Sequence, residues 1–205
     1  MVLGAIKRLR KEMVEMEQSA DADAVLVANP ENLLAWRGWI RGPEGTSFEG
    51  GVFELSIDVS MQYPLVPPKI YFKTPVFHPN IHDRTGEVCV DILKDQWTPA
   101  WSLSSCAQAI RSVLAHPNPD SPLNCDAGNL LRAGDLDGFQ TIAKQYVQRH
   151  ANGIMPSREN ASFDDTGRQK QTAALQQQDS NFSLWHLLIM APIAFFFLTW
   201  LTSSS

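Results

Sequence analysis

Cysteine is scarce in this chain of 205 residues, and positive charge does not exceed negative charge. Cys89, Cys106 and Cys125 are too few and too widely spaced for a disulfide framework, and no CxxC pair suggests a zinc or redox site. The formal net charge of −5 does not favour a nucleic-acid partner, because such proteins usually carry a basic surface. We therefore expect reduced thiols, no metal site and no bound nucleic acid.

The N-terminus lacks the long uncharged core that a secretory signal requires. Basic residues interrupt its apolar positions, namely Lys7, Arg8, Arg10 and Lys11. Its apolar residues recur at spacings of three and four, which predicts an amphipathic helix. They are Leu3, Ile6, Leu9, Met13 and Met16.

Strand-like segments follow this helix, and further helices follow the strands. The predicted strands are 24–29, 33–42, 51–59 and 69–73, with a turn-rich connection at 43–50 and a proline-rich corner at 63–68. The predicted helices are 102–115, with Ser102 or Ser104 as its cap, 126–132 and 136–150. Strands first and helices afterwards indicate an α+β fold.

The segment 182–202 contains no Asp, Glu, Lys or Arg. At about 1.5 Å per residue it forms a helix of roughly 31 Å, which matches the hydrocarbon core of a bilayer. Trp185 and Trp200 lie near its ends, as interfacial aromatic residues do. A buried core helix is the alternative, although core helices are usually shorter and keep a polar edge. We predict a C-terminal transmembrane anchor.

The segment 151–181 is polar and is predicted to be a flexible linker between a domain at 1–150 and the anchor at 182–202. Positive residues favour the cytosolic side of a membrane. The linker before the anchor contains three of them, Arg158, Arg168 and Lys170, and none follows the anchor. The domain is therefore expected in the cytosol.

A lone cysteine is a weak signal, because free cysteine is often a small buried hydrophobe. The surroundings of Cys89, however, resemble the active-site signature of ubiquitin-conjugating enzymes. The matching residues are His78-Pro79-Asn80, Gly86-Glu87-Val88-Cys89-Val90-Asp91-Ile92-Leu93 and Trp97-Thr98-Pro99-Ala100-Trp101, framed by Gly42-Pro43, Phe48-Glu49-Gly50-Gly51, Tyr63-Pro64 and Pro67-Pro68. The resemblance spans residues 1–150. It implies a ubiquitin-conjugating fold with an N-terminal helix, a four-stranded antiparallel meander sheet, an active-site loop and C-terminal helices.

The resemblance implies that Cys89 accepts ubiquitin as a thioester from a ubiquitin-activating enzyme. That upstream enzyme uses the ATP, so no cofactor is expected here. Asn80 matches an asparagine whose amide stabilises the oxyanion formed during attack on the thioester, and such a donor is typically worth about 100- to 1,000-fold in rate. Alternatively, Asn80 only holds the loop by hydrogen bonds. His78 and Pro79 match the supporting residues, and His78 is expected to brace the loop rather than transfer a proton.

This chain departs from the commonest family pattern near the active site. The loop from Asn80 to Cys89 is one residue longer than in the commonest members. Ser121 stands where many members have an aspartate, and the neighbouring Asp120 is a second candidate for orienting the acceptor. Cys106 and Cys125 are expected to pack inside the fold and to carry no ubiquitin.

The resemblance also places a surface for RING-type ubiquitin ligases. The matching positions are Lys7 and Arg8 on the first helix, Leu65 in the proline-rich corner, and Pro99 and Ala100 after Trp97. Ubiquitin, an activating enzyme, a RING ligase, a protein substrate and a membrane are thus the expected partners.

A narrower resemblance, over residues 116–135, is to the peroxisomal (peroxin-type) conjugating enzymes, which modify the import receptor for peroxisomal matrix proteins. It implies an acceptor cysteine in the substrate, with lysine as an alternative, and favours the peroxisomal membrane. The predicted anchor is instead similar to that of tail-anchored conjugating enzymes of endoplasmic-reticulum degradation, which is the alternative function and location. A non-catalytic ubiquitin-binding scaffold is disfavoured, since such variants normally lack the cysteine.

Overall fold

The computed structural model describes residues 2–19, 21–88, 97–161 and 163. Within these ranges the chain forms four helices and one four-stranded sheet. The elements in order are α1 (Val2–Gln18), β1 (Ala24–Ala28), β2 (Ala35–Arg41), β3 (Val52–Asp58), β4 (Lys69–Phe72), α2 (Leu103–Ala115), α3 (Cys125–Arg132) and α4 (Leu136–His150). The predicted α+β fold, with its N-terminal helix and its C-terminal helices, is confirmed.

The sheet is an antiparallel meander in the order β1-β2-β3-β4. Side chains along a strand alternate between its two faces, and β2 buries every second residue. Trp36 and Ile40 therefore point into the core, where α2 packs against β1 and β2. Arg37 and Trp39 lie on the opposite face, with the guanidinium carbon 5.0 Å from the centroid of the indole ring.

The C-terminal helices begin at side-chain caps. The hydroxyl of Ser102 accepts a hydrogen bond from the Ser105 N–H, so Ser102 rather than Ser104 caps α2. Asn124 caps α3 and Asp135 caps α4 in the same way. Helix α3 begins at Cys125, one residue earlier than predicted, because Asn124 supplies the cap.

The described structure continues past the predicted end of the domain at residue 150. Ala151 is buried, and its carbonyl accepts a hydrogen bond of 2.8 Å from the N–H of Val52 at the start of β3. Further along, the carbonyl of Ser157 accepts hydrogen bonds from Asn160 and Ala161. The predicted anchor at 182–202 and most of the predicted linker lie outside the described residues. No helix in the described ranges is both long enough and apolar enough to cross a membrane.

Candidate active site

Residues 81–88 form a small hairpin in the long loop that follows β4. Ile81 and Val88 pair as an antiparallel bridge. The N–H of His82 donates to the carbonyl of Glu87 at 2.8 Å, and the N–H of Gly86 donates to the carbonyl of His82 at 3.0 Å. Ile81 and Val88 are both buried, so the hairpin is anchored in the core at its open end. The chain is thus fixed up to the residue that precedes Cys89, which itself lies outside the described residues.

Gly86 lets this hairpin lie directly on β4. Its carbonyl accepts a hydrogen bond of 2.8 Å from the N–H of Phe72. Its φ of +69° lies in the left-handed region, and a Cβ atom would stand 1.9 Å from the carbonyl oxygen of Phe72. Any side chain at position 86 would therefore push the hairpin off the strand.

His78 is a fully buried residue beside the hairpin, with 0% of its surface exposed. Its Nδ1 accepts a hydrogen bond of 3.1 Å from the backbone N–H of Asn80, and its ring lies 5.6 Å from that of Phe48. Burial lowers the pKa of His78 to about 3. Its Nε2 has no hydrogen-bond partner among the described residues. The ring is therefore neutral at physiological pH and acts as an acceptor within the loop.

Asn80 joins the hairpin to the loop after α2. Its Nδ2 donates to the carbonyl of Asn118, and its Oδ1 accepts from the N–H of Asn118, both at 2.8 Å. Only 8% of Asn80 is exposed. A primary amide has two N–H groups, and this pairing uses one of them. The side chain thus connects two loops and retains one amide N–H group that this pairing does not use.

Pro79 holds the other end of the loop after α2. Its carbonyl accepts hydrogen bonds from Leu123 at 2.7 Å and from Asn124 at 3.1 Å. The segment between Asn118 and Leu123 therefore arches over the Pro79–Asn80 peptide, tied down on both sides. Asp120 and Ser121 lie on this arch, and both are exposed. The N–H of Asp120 donates to the Asn118 side chain at 2.9 Å.

The two described cysteines differ sharply. Cys106 is fully buried in α2, and burial raises the pKa of its thiol to about 12, so it is chemically inert. Cys125 is exposed, and the prediction that it packs inside the fold is wrong. Helix α3 buries Ala127 and Gly128, whereas Cys125 is its first residue and lies at the surface. Cys125 is therefore the competing thiol that any experiment on Cys89 must control.

The predicted ligase-binding residues lie on three adjoining segments. Lys7, Pro99 and Ala100 are exposed, and Leu65 is 72% exposed. The indole N–H of Trp97 donates to the carbonyl of Pro64 at 2.8 Å, which joins the 97–101 segment to the proline-rich corner. Arg8 differs from the others, because its guanidinium turns inward to the carboxylate of Glu12 and the carbonyl of Trp101.

Glu12, which none of the sequence motifs includes, is a buried carboxylate in α1 with 1% of its surface exposed. A signal was available. Glu12 follows Leu9 by three residues and precedes Met16 by four, so it lies on the apolar stripe of the helix. A charged residue on such a stripe needs partners, since burying an unpaired charge is costly.

In the described part of the chain, no group of three or more His, Cys, Asp or Glu residues could hold a metal ion.

Comparisons with known proteins agree with this geometry. The sequence profile of the family described as ubiquitin-conjugating enzyme matches residues 8–147. Protein PEROXIN-4 of Arabidopsis thaliana is 51% identical over 143 residues, which cover 69% of this chain and 91% of that protein. The Dictyostelium discoideum ubiquitin-conjugating enzyme E2 pex4 is 45% identical over 142 residues, with 69% and 95% covered. The solved E2 domain of a Toxoplasma gondii ubiquitin conjugating enzyme superposes with a TM-score of 0.66 at 34% identity, covering 71% of this chain and 97% of that domain.

Proposed function

Since the chain belongs to the ubiquitin-conjugating enzyme family, we propose that Cys89 accepts ubiquitin as a thioester and passes it, with a RING-type ligase, to a protein substrate. The enzyme class and its general partners, namely ubiquitin, an activating enzyme and a ligase, follow from the family itself. The residue that carries ubiquitin, the ligase type and the substrate are the proposal.

The single observation that carries the assignment of Cys89 is the register of the 81–88 hairpin. Ile81 pairs with Val88 in antiparallel fashion. The bridge brings together the residue that follows Asn80 and the residue that precedes Cys89, and we propose that the amide and the thiol act on the same thioester. A nucleophile beside a fixed amide donor is the arrangement that thioester chemistry needs.

Two acyl transfers make up the proposed reaction. The thiolate of Cys89 attacks the thioester carbonyl of ubiquitin on the activating enzyme, a new C–S bond forms, and the activating enzyme's cysteine leaves as a thiolate. A substrate nucleophile then attacks the new thioester, and Cys89 leaves in turn. Each attack turns the carbonyl oxygen into an oxyanion. The remaining N–H of Asn80 is the proposed donor to the oxyanion of the second transfer, an interaction worth about 100- to 1,000-fold in rate.

Asn80 combines the two roles that the sequence left as alternatives. Its pairing with Asn118 holds the amide in one orientation, because both ends of the side chain are bonded to backbone. A donor that is already oriented loses little freedom when charge develops, which is the physical basis of oxyanion stabilisation. Bracing the loop is thus the means by which Asn80 is presented to the thioester.

The acceptor in the substrate is proposed to be a cysteine, with lysine as the alternative. An unperturbed lysine has a pKa near 10.4 and a cysteine near 8.5, so at pH 7 a thiol needs about two units less help to become nucleophilic. Ser121, on the arch beside Asn80, offers no carboxylate to deprotonate an amine. Asp120 is exposed next to it and is the residue that could assist a lysine acceptor.

The proposed substrate is the import receptor for peroxisomal matrix proteins, at the peroxisomal membrane. The names of two similar relatives support this proposal, since one is called peroxin-4 and the other pex4. Residues 182–202 are proposed to anchor the chain, with the catalytic domain in the cytosol. The alternative function is endoplasmic-reticulum degradation by a tail-anchored enzyme, and the uncharged run at 182–202 is the observation that favours it.

The decisive experiment is charging by an activating enzyme with ATP and ubiquitin. The native protein should form one conjugate that a reducing agent cleaves. Cys89→Ser should form a conjugate that resists the reducing agent, because an oxyester replaces the thioester. Cys125→Ala is the matched control, since Cys125 is the exposed thiol, and it should charge normally. Normal charging of Cys89→Ala would remove the assignment.

Localisation is tested separately. The tagged full chain should coincide with peroxisomal markers, and added protease should digest the N-terminal domain on intact organelles. Deletion of residues 182–205 should release a protein that still charges in solution. Coincidence with endoplasmic-reticulum markers would favour the second function.

A further inference from the structure

Glu12 accepts hydrogen bonds from three different parts of the chain. Arg8 Nε donates to Oε1 at 2.6 Å from the same helix. The hydroxyl of Tyr63, in the proline-rich corner, donates to Oε1 at 2.6 Å. The backbone N–H of Leu103, the first residue of α2, donates to Oε2 at 2.8 Å. One buried carboxylate thus joins α1, the proline-rich corner and the N-terminus of α2.

The same network reaches the segment that carries Pro99 and Ala100. The carbonyl of Trp101 accepts a hydrogen bond of 3.0 Å from Arg8 Nη2, and the Tyr63 hydroxyl lies 3.5 Å from it. At the other end of the segment, the indole of Trp97 is bonded to the carbonyl of Pro64. The five-residue segment from 97 to 101 is therefore held at both ends, by the Glu12 network and by the corner.

We propose that Glu12, acting through Arg8 and Tyr63, is the positioning residue of the ligase-docking surface formed by Lys7, Leu65, Pro99 and Ala100. Arg8 then supports this surface from its buried side and does not itself contact the ligase. The inference rests on the proposed ligase surface. Beyond that surface, Glu12 is a buried residue that sets the relative placement of the three segments on which the surface lies.

The charge state of the network supports this role. Burial and the hydrogen bond to Glu12 raise the pKa of Tyr63 well above its ordinary value, so its hydroxyl remains a donor. The bond to Glu12 raises the pKa of Arg8 as well. The N-terminus of a helix favours negative charge, and Glu12 lies at the first N–H of α2. The two oxygens of the Glu12 carboxylate together accept from all three donors.

If Glu12 had a purely structural role, its substitution would lower the stability of the fold and leave ligase docking unaltered. Glu12→Gln replaces one carboxylate oxygen by an NH2 group, which then faces either the Leu103 N–H or the Arg8 and Tyr63 donors. Tyr63→Phe removes one donor while it keeps the ring. Glu15→Gln is the matched control, because Glu15 forms an exposed ion pair with Lys11 on the same helix. Exposed ion pairs of this kind contribute little to the stability of the fold.

The experiment uses the full chain in detergent micelles, charged with ubiquitin. Discharge onto free cysteine is measured with and without an isolated RING domain, chosen as the one that most stimulates the native protein. We expect Tyr63→Phe and Glu12→Gln to reduce the ratio of stimulated to unstimulated rate about tenfold, mainly through a higher RING concentration at half-stimulation. Glu15→Gln should match the native protein.

A spectroscopic signature accompanies the kinetics. The NMR signal of the Trp97 indole N–H should shift in Tyr63→Phe and not in Glu15→Gln. If Glu12→Gln fails to fold, the rate ratio measured for Tyr63→Phe tests the proposal. An unchanged ratio in Tyr63→Phe, or a native protein that charges yet responds to no RING domain, would overturn the proposal. Failure of the native protein to charge at Cys89 would instead count against the proposed function.

Discussion

The neutral, buried His78 predicts a specific loss of stability in mild acid. The ordinary pKa of histidine is 6.5, and in the fold burial lowers the pKa of His78 to about 3. Between these values the unfolded chain binds a proton that the folded chain does not. The free energy of unfolding therefore rises with pH from about 3 to 6.5 and levels off above that range.

The magnitude follows from linkage. Each pH unit inside this window corresponds to about 1.4 kcal/mol, so the contribution of His78 should fall by about 2 kcal/mol between pH 7 and pH 5. His78→Asn removes the titrating group while leaving an oxygen that can accept the Asn80 N–H. The variant should be less stable than the native protein at pH 7, by about 2 to 4 kcal/mol, because it leaves a cavity beside Phe48.

The assay is urea unfolding, followed by tryptophan fluorescence at pH 7, 6 and 5. It can be done on residues 1–163, which form one compact unit. The stability difference between the native protein and His78→Asn should shrink by about 2 kcal/mol as the pH falls to 5. His116→Asn is the control, since His116 is exposed. A difference that stays constant across this range would refute the argument that His78 is buried in its neutral form.

Three further substitutions test the active site. Gly86→Ala should lower the free energy of unfolding by several kcal/mol in the same urea assay and slow charging, because its Cβ would meet the carbonyl of Phe72; native-like behaviour would mean the hairpin is not held on β4. Asn80→Ala should still accept ubiquitin yet discharge it about 100-fold more slowly in single-turnover assays, whereas an unfolded variant would leave only the bracing role. Ser121→Asp should raise the rate of discharge onto free lysine at pH 7 much more than the rate onto free cysteine. Equal effects on both acceptors would remove the argument for a thiol acceptor.

Local patterns in the sequence determined the secondary structure. Helix α4 was predicted at 136–150 and runs from Leu136 to His150, because its cap, Asp135, and its periodicity are both local signals. The predicted strands agree with β1–β4 to within two residues at each end, since alternation and turn residues are read over short windows. The order of the motif residues likewise indicated the family before any contact was known.

Tertiary structure alone decided which of these residues act on one another. Asn80 and Asn118 are 38 positions apart, and only the folded chain brings the amide of one to the backbone of the other. The exposure of Cys125 depends on which face of a short helix packs, which a motif does not specify. Glu12 was visible as a charge on an apolar stripe, yet its donors come from segments far apart in sequence. Hydrogen bonds between distant segments depend on the path of the backbone through space, and no local pattern of residues encodes that path.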